Sequence, residues 1–439
     1  ATPAQMERAI AGADRAFKPL SELPAYERAG MLMRVAEGLR ARRREMADLL
    51  VGEAGKPITY ALVEVDRAID TFTIASEEAK RQGGELLPLE ISPPGKGHWG
   101  IVRRFPIGPV AGISPYNFPL NLVAHKVAPA LACGNPIVLR PATQTPLASL
   151  LLAEICCDAG VPAGVFSVLP CSREVATPLT DDPRLKKLTF TGSVPVGWML
   201  KARANTKRVT LELGSNAACV IDADADLDAV IPRVAIGAFY NAGQSCISIQ
   251  RIYAHRKIFR EFERRLVRHV RTKIRAGDPR RPETVVGPLI DAANATRVVE
   301  WLREAEAQGA KILCGGKRRG NVVTPAVVTR VKPTMKISCE EVFGPVVTLE
   351  PWSDFGDVLD RVNDSVYGLQ AGIFTSDVRK IARAFRELNV GGVVINNTPT
   401  YRIDSMPYGG EKDSGLGREG VRWAIEEMTA TKILVVNTV

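Results

Sequence analysis

Three side chains of the kinds that covalent acyl-transfer chemistry combines stand in three separate strings of this sequence. Cys246 occurs in "NAGQSCISIQ" (241–250), after a helix-like stretch and before a strand-like one. Its neighbours are small and polar, where a packing cysteine usually has large apolar ones. Asn117, in "SPYNFP" (114–119), puts a side-chain amide between prolines directly after a β-rich run, the edge at which open α/β sheets bind ligands. Glu212, in "TLELGSN" (210–216), is the lone acid of an apolar, strand-like run, and a carboxylate buried there is costly unless it is paired or functional. A thiol nucleophile, an amide donor for an oxyanion and a carboxylate are the parts such a site requires. Sequence distance does not show that they meet, and packing and reactivity are both open readings of Cys246.

Two further strings suggest a nucleotide. "FTGSVPVG" (190–197) runs from a strand end through Gly and Ser into a helix start, a cradle for a pyrophosphate at a helix N-terminus. It lacks the full G-x-G-x-x-G pattern, so a plain structural turn fits it as well. "CEEVFGPV" (339–346) offers Glu340 and Glu341 before an aromatic and a Gly-Pro turn, and solvated acids at the start of a strand fit equally.

At 439 residues the chain exceeds the size at which one core keeps growing, so two or more domains are expected. With 46% hydrophobic and 24% charged residues it has ordinary globular composition, which argues against long disordered stretches. No membrane-length apolar window and no secretory signal occur, and a soluble, cytoplasmic protein is expected. The eight cysteines form no C-x-x-C pair and the four histidines are scattered, so neither a metal site nor a disulfide framework is indicated. The net charge of +10 comes from basic residues interleaved with acids on helical faces, including "RARRREM" (40–46), which reads as a solvated face of an amphipathic helix. A nucleic-acid partner is therefore not expected, while the surplus suits an anionic substrate or cofactor.

The elements that must position these residues follow from periodicity. From about 5 to 80 apolar residues recur at helical spacing. From 108 to 222 short β-rich runs alternate with helical ones, and a second alternation runs from Asp226 to "GGVVINN" (391–397), which predicts two parallel βαβ sheets in series. "LEISPPGKGHWGIVRRFPIG" reads as an extended hairpin arm and "ATKILVVNTV" as a lone strand, to be paired with each other or across a subunit boundary.

The strings "SPYNFPLNLVAHKVAPALACGNPIVLRPATQTPLA", "TFTGSVPVG", "LELGSNAACVI", "NAGQSCISIQRIY", "EEVFGPVV" and "MPYGGEKDSGLGREG", in this order, resemble the NAD(P)-dependent aldehyde dehydrogenase superfamily over essentially the whole chain. The wording is nearest the branch with succinate-semialdehyde, lactaldehyde and phosphorylated-aldehyde dehydrogenases. The resemblance implies an α/β fold with two Rossmann-like parallel-sheet domains and a β-arm: cofactor-binding residues 1–87 and 107–215, catalytic residues 216–412, and an arm and tail at 88–106 and 413–439. It implies Cys246 as nucleophile, Asn117 and the Cys246 backbone N–H as oxyanion donors, Glu212 as general base, and Lys126 and Glu419 on a proton path to it. For the cofactor it implies Ser114, Pro115 and Tyr116, the turn of Gly192, Ser193, Val196 and Gly197, then Leu213, Gly214, Glu341 at the nicotinamide ribose and Phe343 near the ring. A homodimer or homotetramer is implied by the arm strands.

The sequence departs from the family pattern in informative places. Arg140 stands where lysine is usual, and Thr143 where NAD-preferring members often carry a glutamate that repels a 2′-phosphate. NADP is therefore the expected preference, with NAD tolerated, and Arg173 could add a second cation. Tyr116 replaces a common tryptophan. Arg402 and Tyr401, in "TPTYRIDSMPYGG", fall in the loop that closes the substrate entrance in relatives, where an arginine fits a carboxylate- or phosphate-bearing aldehyde. A surface pair of Arg402 with Asp404 or Glu411 is the competing reading. Gln250 and Arg104 are further tunnel candidates. Relatives usually have a β-rich segment before the first helix present here. A CoA-acylating dehydrogenase, a thiol esterase and a non-enzymatic scaffold are the alternatives, and the presence of Glu212 argues for hydrolysis.

Overall fold

The helical layer begins with its own cap. In the computed structural model, which describes residues 1–438, the Thr2 hydroxyl accepts from the Gln5 N–H and the Thr2 N–H donates to the Gln5 side chain, which starts the helix Pro3–Glu22. Helices Ala25–Ala41, Arg43–Ala54 and Ile58–Lys80 follow. The basic run at 40–46 straddles the break at Arg42, and three of its four arginines are paired locally: Arg42 with Glu45 and Glu154, Arg43 with Asp66, and Arg44 with Asp48. No helix among the described residues is long and apolar enough to cross a membrane.

The first sheet has six strands in the spatial order Gly415–Leu416, Arg208–Glu212, Lys187–Thr191, Val110–Ile113, Ile137–Arg140, Phe166–Val168. All neighbours are parallel except the first pair. Chain order reverses between Val110–Ile113 and Lys187–Thr191, the switch point where such sheets open a crevice at their carboxyl edge. The second sheet has seven strands in the order Lys311–Cys314, Ala326–Thr329, Val346–Trp352, Arg251–His255, Ala218–Ile221, Gln370–Phe374, Gly392–Ile395, again parallel but for the first pair.

A third sheet pairs Gly84–Pro88 with His98–Pro106, and His98–Pro106 with Thr429–Asn437, all antiparallel. The two stray strands expected from the sequence thus pair within one chain, and the arm begins at Gly84, earlier than the expected 88. The C-terminal segment is also divided differently from the expectation. Gly415–Leu416 completes the first sheet beside Glu212, the helix Val421–Glu427 packs on the helix Asn121–Cys133, and only Thr429–Asn437 joins the arm.

Every residue of the helix Asn121–Cys133 is buried, so its N-terminal amides cannot turn to water. They find Glu64 instead: its Oε1 accepts from the Leu120 and Asn121 N–H groups at 2.9 and 3.1 Å. Glu64 is ion-paired with the wholly buried Lys56, whose ammonium lies 3.6 Å from the centroid of the Phe118 ring. One buried pair therefore anchors the loop that carries Asn117. Removing one partner leaves an uncompensated buried charge. We expect Glu64→Ala to lower unfolding free energy by about 3–5 kcal/mol, measured by urea denaturation; a loss under about 1 kcal/mol would show that the pair is dispensable.

Candidate active site

The carboxyl edge of the first sheet opens into a cavity of about 690 Å³. Arg140 and Glu212 end strands three positions apart in that sheet, a span of roughly 14 Å at the usual strand spacing, and both line the cavity. Ser114, Pro115, Tyr116 and Asn117 line it from the loop between them. Cys246, Glu341 and Phe343 reach it from the second half of the molecule, so the three residues singled out for chemistry, Cys246, Asn117 and Glu212, line the same cavity.

Cys246 is held by backbone geometry that few residues adopt. Asn241 and Ala242 have φ of 50° and 58°, and Gly243 follows at 70°, a left-handed run that swings the chain out of the helix Leu227–Phe239. A Cβ on Gly243 would stand 2.2 Å from the Gly344 carbonyl, so only glycine lets this loop reach the Glu341–Phe343 segment. The Cys246 sulfur lies 2.8 Å from the Tyr408 hydroxyl. Burial pushes the Cys246 thiol up to about 11, while the Tyr408 hydrogen bond and the Arg402 charge act in the opposite direction. Asn117 donates one N–H to the Gln244 carbonyl at 3.0 Å, which aims its amide at the cysteine loop. Among the described residues the Cys246 N–H has no hydrogen-bond partner.

Glu212 is buried, and neither carboxylate oxygen has a hydrogen-bond partner. Burial, then repulsion from Glu419, raises its carboxyl well above the ordinary range, against the pull of Arg402, Lys126 and Arg418. Glu419 goes the other way. Its Oε1 accepts from Lys126 Nζ at 2.9 Å and its Oε2 from Arg402 at 3.1 Å. Although burial opposes its ionisation, Lys126 and Arg402 bring it down to about 2. Lys126 also donates to Thr191 and Thr189, at 2.6 and 3.3 Å, and so is fixed on one face of the strand Lys187–Thr191.

At the other end of the cavity Arg140 donates to the Cys171 carbonyl and, at 3.4 Å, to the Thr143 hydroxyl. Exposed Arg173 lines the same mouth. Glu341 accepts from the Ser215 N–H at 2.9 Å, and burial moves its carboxyl up to about 7. A Cβ on Gly214 would come within 2.5 Å of Glu341, so that glycine keeps the carboxylate against the cavity. The Tyr116 and Phe343 rings meet edge to face, with centroids 5.9 Å apart. Gly192, Ser193, Val196 and Leu213 complete the turn above. The residues fit a dinucleotide: the buried Ser114 hydroxyl has no partner, the mouth is cationic, and the glycine turn leads into the helix Val194–Arg203.

Several expected residues lie elsewhere. Gly197 does not face the cavity; a Cβ there would meet the Leu213 side chain at 2.4 Å, so it permits close packing between helix and strand. Gln250 is buried with its amide spent on backbone: Nε2 donates to the Ile337 and Glu340 carbonyls, and Oε1 accepts from the Val342 N–H. It braces the Glu341 segment and is not in a tunnel. Arg104 sits on the arm, bound to the Glu426 carbonyl and the Thr429 hydroxyl. Tyr401 is 45% exposed and outside the cavity lining.

Arg402 pairs with neither Asp404 nor Glu411. Asp404 is taken by Arg67 and His125, and Glu411 by Arg418, whereas Arg402 turns inward to Glu419 with its guanidinium 3.7 Å from the Tyr408 ring centroid. Its Nε is buried without a partner. Arg297, which lines the cavity and donates to the Val342 carbonyl, and Tyr408 were not singled out from the sequence. A lone tyrosine in "MPYGG" gives no sign of the loop that its hydroxyl will face.

With a cavity lined by a cysteine, an amide, a buried carboxyl and a glycine turn at a helix start, the fold and site define an aldehyde oxidoreductase of the Rossmann-like type. The chain belongs to the aldehyde dehydrogenase family, whose sequence model matches residues 1–434, and it is an NAD(P)-dependent enzyme. It is 43% identical over 438 residues to a 3-sulfolactaldehyde dehydrogenase of Priestia aryabhattai, covering 100% of this chain and 91% of that one. It superposes with a TM-score of 0.98 and 48% identity on aldehyde dehydrogenase 21 of Physcomitrella patens, solved in complex with the reaction product succinate, covering 100% and 92% of the two chains. A glyceraldehyde-3-phosphate dehydrogenase of Methanocaldococcus jannaschii complexed with NADP gives a TM-score of 0.95 at 36% identity, covering 100% and 95%.

The Glu419 cluster has a pH signature. Its carboxyl is held below its unfolded value near 4.5, so the stabilisation is complete above that pH and is lost as pH falls through about 2. Acid-unfolding curves of wild type should therefore lose stability more steeply between pH 4.5 and 2 than those of Glu419→Gln. Parallel curves would show that the carboxylate is not ionised in the fold.

Proposed function

We propose that this protein oxidises a small aldehyde to the carboxylic acid through a covalent bond to Cys246. The aldehyde carries a hydroxyl or an anionic group, as in a semialdehyde, lactaldehyde or a phosphorylated aldehyde, and NADP is preferred over NAD. The observation that carries this reading is that Cys246, Asn117, Glu212 and Glu341 line one cavity with the cationic mouth.

The Cys246 thiolate adds to the aldehyde carbon, and the oxyanion is received by the second Asn117 N–H and the Cys246 backbone N–H, donors of a kind worth about 3–4 kcal/mol of barrier. NAD(P)+, held by Glu341, Ser114 and the glycine turn, supplies the two-electron oxidation when bound. Glu212 then takes the proton of the water that attacks the thioester, and Cys246 leaves as thiolate. Its high proton affinity in the resting site is what a general base needs, and Lys126 and Glu419 stand beside it to carry that proton on. Arg140 and Arg173, which line the cavity while Glu174 beside them does not, support a 2′-phosphate. An anionic substrate group is supported by the arginines that line the cavity, Arg297 among them, and not by Arg402, which is buried against Glu419 outside that lining. The relatives named for sulfolactaldehyde, and solved with succinate, point the same way.

The arm supports a homodimer or homotetramer. Its sheet leaves Leu86, Trp99 and Leu434 exposed on one face and Ile433 and Val435 on the other, apolar surface of the kind a second subunit covers.

Reduced-cofactor formation with 3-sulfolactaldehyde, succinic semialdehyde, lactaldehyde and glyceraldehyde 3-phosphate should be abolished by Cys246→Ala, and turnover surviving in that variant would end the covalent reading. Thr143→Glu should lower NADP efficiency at least tenfold relative to NAD, by about 1.4 kcal/mol of repulsion or more; an unchanged ratio would remove Thr143 from cofactor choice. In light scattering Leu434→Glu should yield monomers, and an unaltered mass would place the subunit contact elsewhere.

A further inference from the structure

Tyr408 has no part in the steps above, yet its hydroxyl is within hydrogen-bond distance of the Cys246 sulfur, at 2.8 Å. The ring is 3% exposed and fixed from several sides. Its backbone exchanges two hydrogen bonds with Glu419, N–H to carbonyl in each direction, at 3.0 and 2.6 Å. Ile247 and Leu369 pack with it around Cys246, and the Arg402 guanidinium covers one face at 3.7 Å from the centroid. Arg402 is itself held by Glu419. A phenol clamped in this way cannot swing off the sulfur without breaking the arginine stack or the strand-like bridge to Glu419.

The chemistry of the contact depends on the state of the sulfur. A thiol can give or accept this hydrogen bond, whereas a thiolate can only accept it, and then the phenol must donate. A hydrogen bond to an ionised partner is about twice as strong as one between neutral groups. A guanidinium over the ring withdraws electron density, which makes the phenol a better donor.

We propose that Tyr408 is the hydrogen-bond donor that stabilises and aims the Cys246 thiolate, with Arg402 strengthening it through the ring. The proposal rests on Cys246 being the nucleophile. No proton crosses the contact: the phenol keeps its hydrogen while the thiol gives its own to a base. The bond weakens as the sulfur adds to a carbonyl and loses its charge, and it re-forms when the thioester breaks and sulfur departs as thiolate. The charged and titratable groups facing Cys246 are Tyr408, Arg402, Glu341, Glu212 and Tyr240. The two carboxyl groups disfavour a thiolate, while Tyr408 and Arg402 favour it.

The test reads the sulfur and not turnover. Iodoacetamide labelling of Cys246 in the cofactor-free protein is followed against pH by peptide mass, with Cys246→Ala as background for the exposed Cys157 and Cys339. In Tyr408→Phe the inflection should rise by about one pH unit. Labelling at pH 7 should slow only about threefold, because the more basic thiolate is also more nucleophilic. 3-Fluorotyrosine placed at 408, a more acidic phenol of nearly the same shape, should move the inflection down. That arm decides the matter if the phenylalanine variant does not fold. Inflections that coincide in wild type and the variants overturn the proposal. Retention of aldehyde turnover by Cys246→Ala would instead overturn the covalent reading on which it stands.

Discussion

Three charged groups sharing one dry pocket set the terms for the site. Glu419 lies between Lys126 and Arg402 and takes the negative charge that two cations can support. Glu212, close enough to feel that charge and without a hydrogen bond of its own, has its carboxyl raised well above the ordinary range. Two carboxyl groups of the same chemical type are thereby driven apart by environment, one well below its ordinary range and one well above it. The separation exists only because the three partners come from remote parts of the chain. Lys126 is on a wholly buried helix, Arg402 is on the loop after the last strand of the second sheet, and Glu419 lies between the edge strand and the last helix.

Keeping those parts in register is the work of buried polar contacts at loop ends. Lys56 and Glu64 hold the start of the helix that carries Lys126, and so also the loop that carries Asn117. Asp404 gathers Arg67, Asn121 and His125, which ties the Arg402 loop to the helices Ile58–Lys80 and Asn121–Cys133. Gln250 does the same for the segment that carries Glu341. Each is a side chain that satisfies backbone or charge where water cannot reach, and each costs more to leave unpaired than it gains when paired.

These bracing roles mark the boundary of what the sequence discloses. The alternation of β-rich and helical runs foretold both parallel sheets, because that pattern is local. A cysteine among small residues, an amide between prolines and an acid in an apolar strand were conspicuous, since each breaks the rule of its own element. Arg402 was expected at the substrate entrance or in a surface pair with Asp404 or Glu411, and only the fold reveals that Glu419 waits beneath it. Gln250 and Gly197 misled because a residue next to a functional string can serve its packing alone. Tyr408 was invisible: its meaning lies in a contact with a residue 162 positions away. The division of the C-terminal segment among first sheet, helix and arm was equally out of reach, since strand pairing at that distance leaves no local trace.

The arm brings a burden of a different kind. Its central strand, His98–Pro106, has Gly84–Pro88 on one side from early in the chain, but its other neighbour is Thr429–Asn437. During synthesis that second edge has no partner until residues 429–437 have been made, more than 300 positions later, and it carries Trp99 and Phe105, which stay partly exposed even in the finished fold. An open edge with aromatic side chains is a template for any passing strand. The same pairing that completes the finished molecule therefore exposes the growing one, and in this nine-residue strand the charges of Arg103 and Arg104 beside Phe105 are what blunt the open edge.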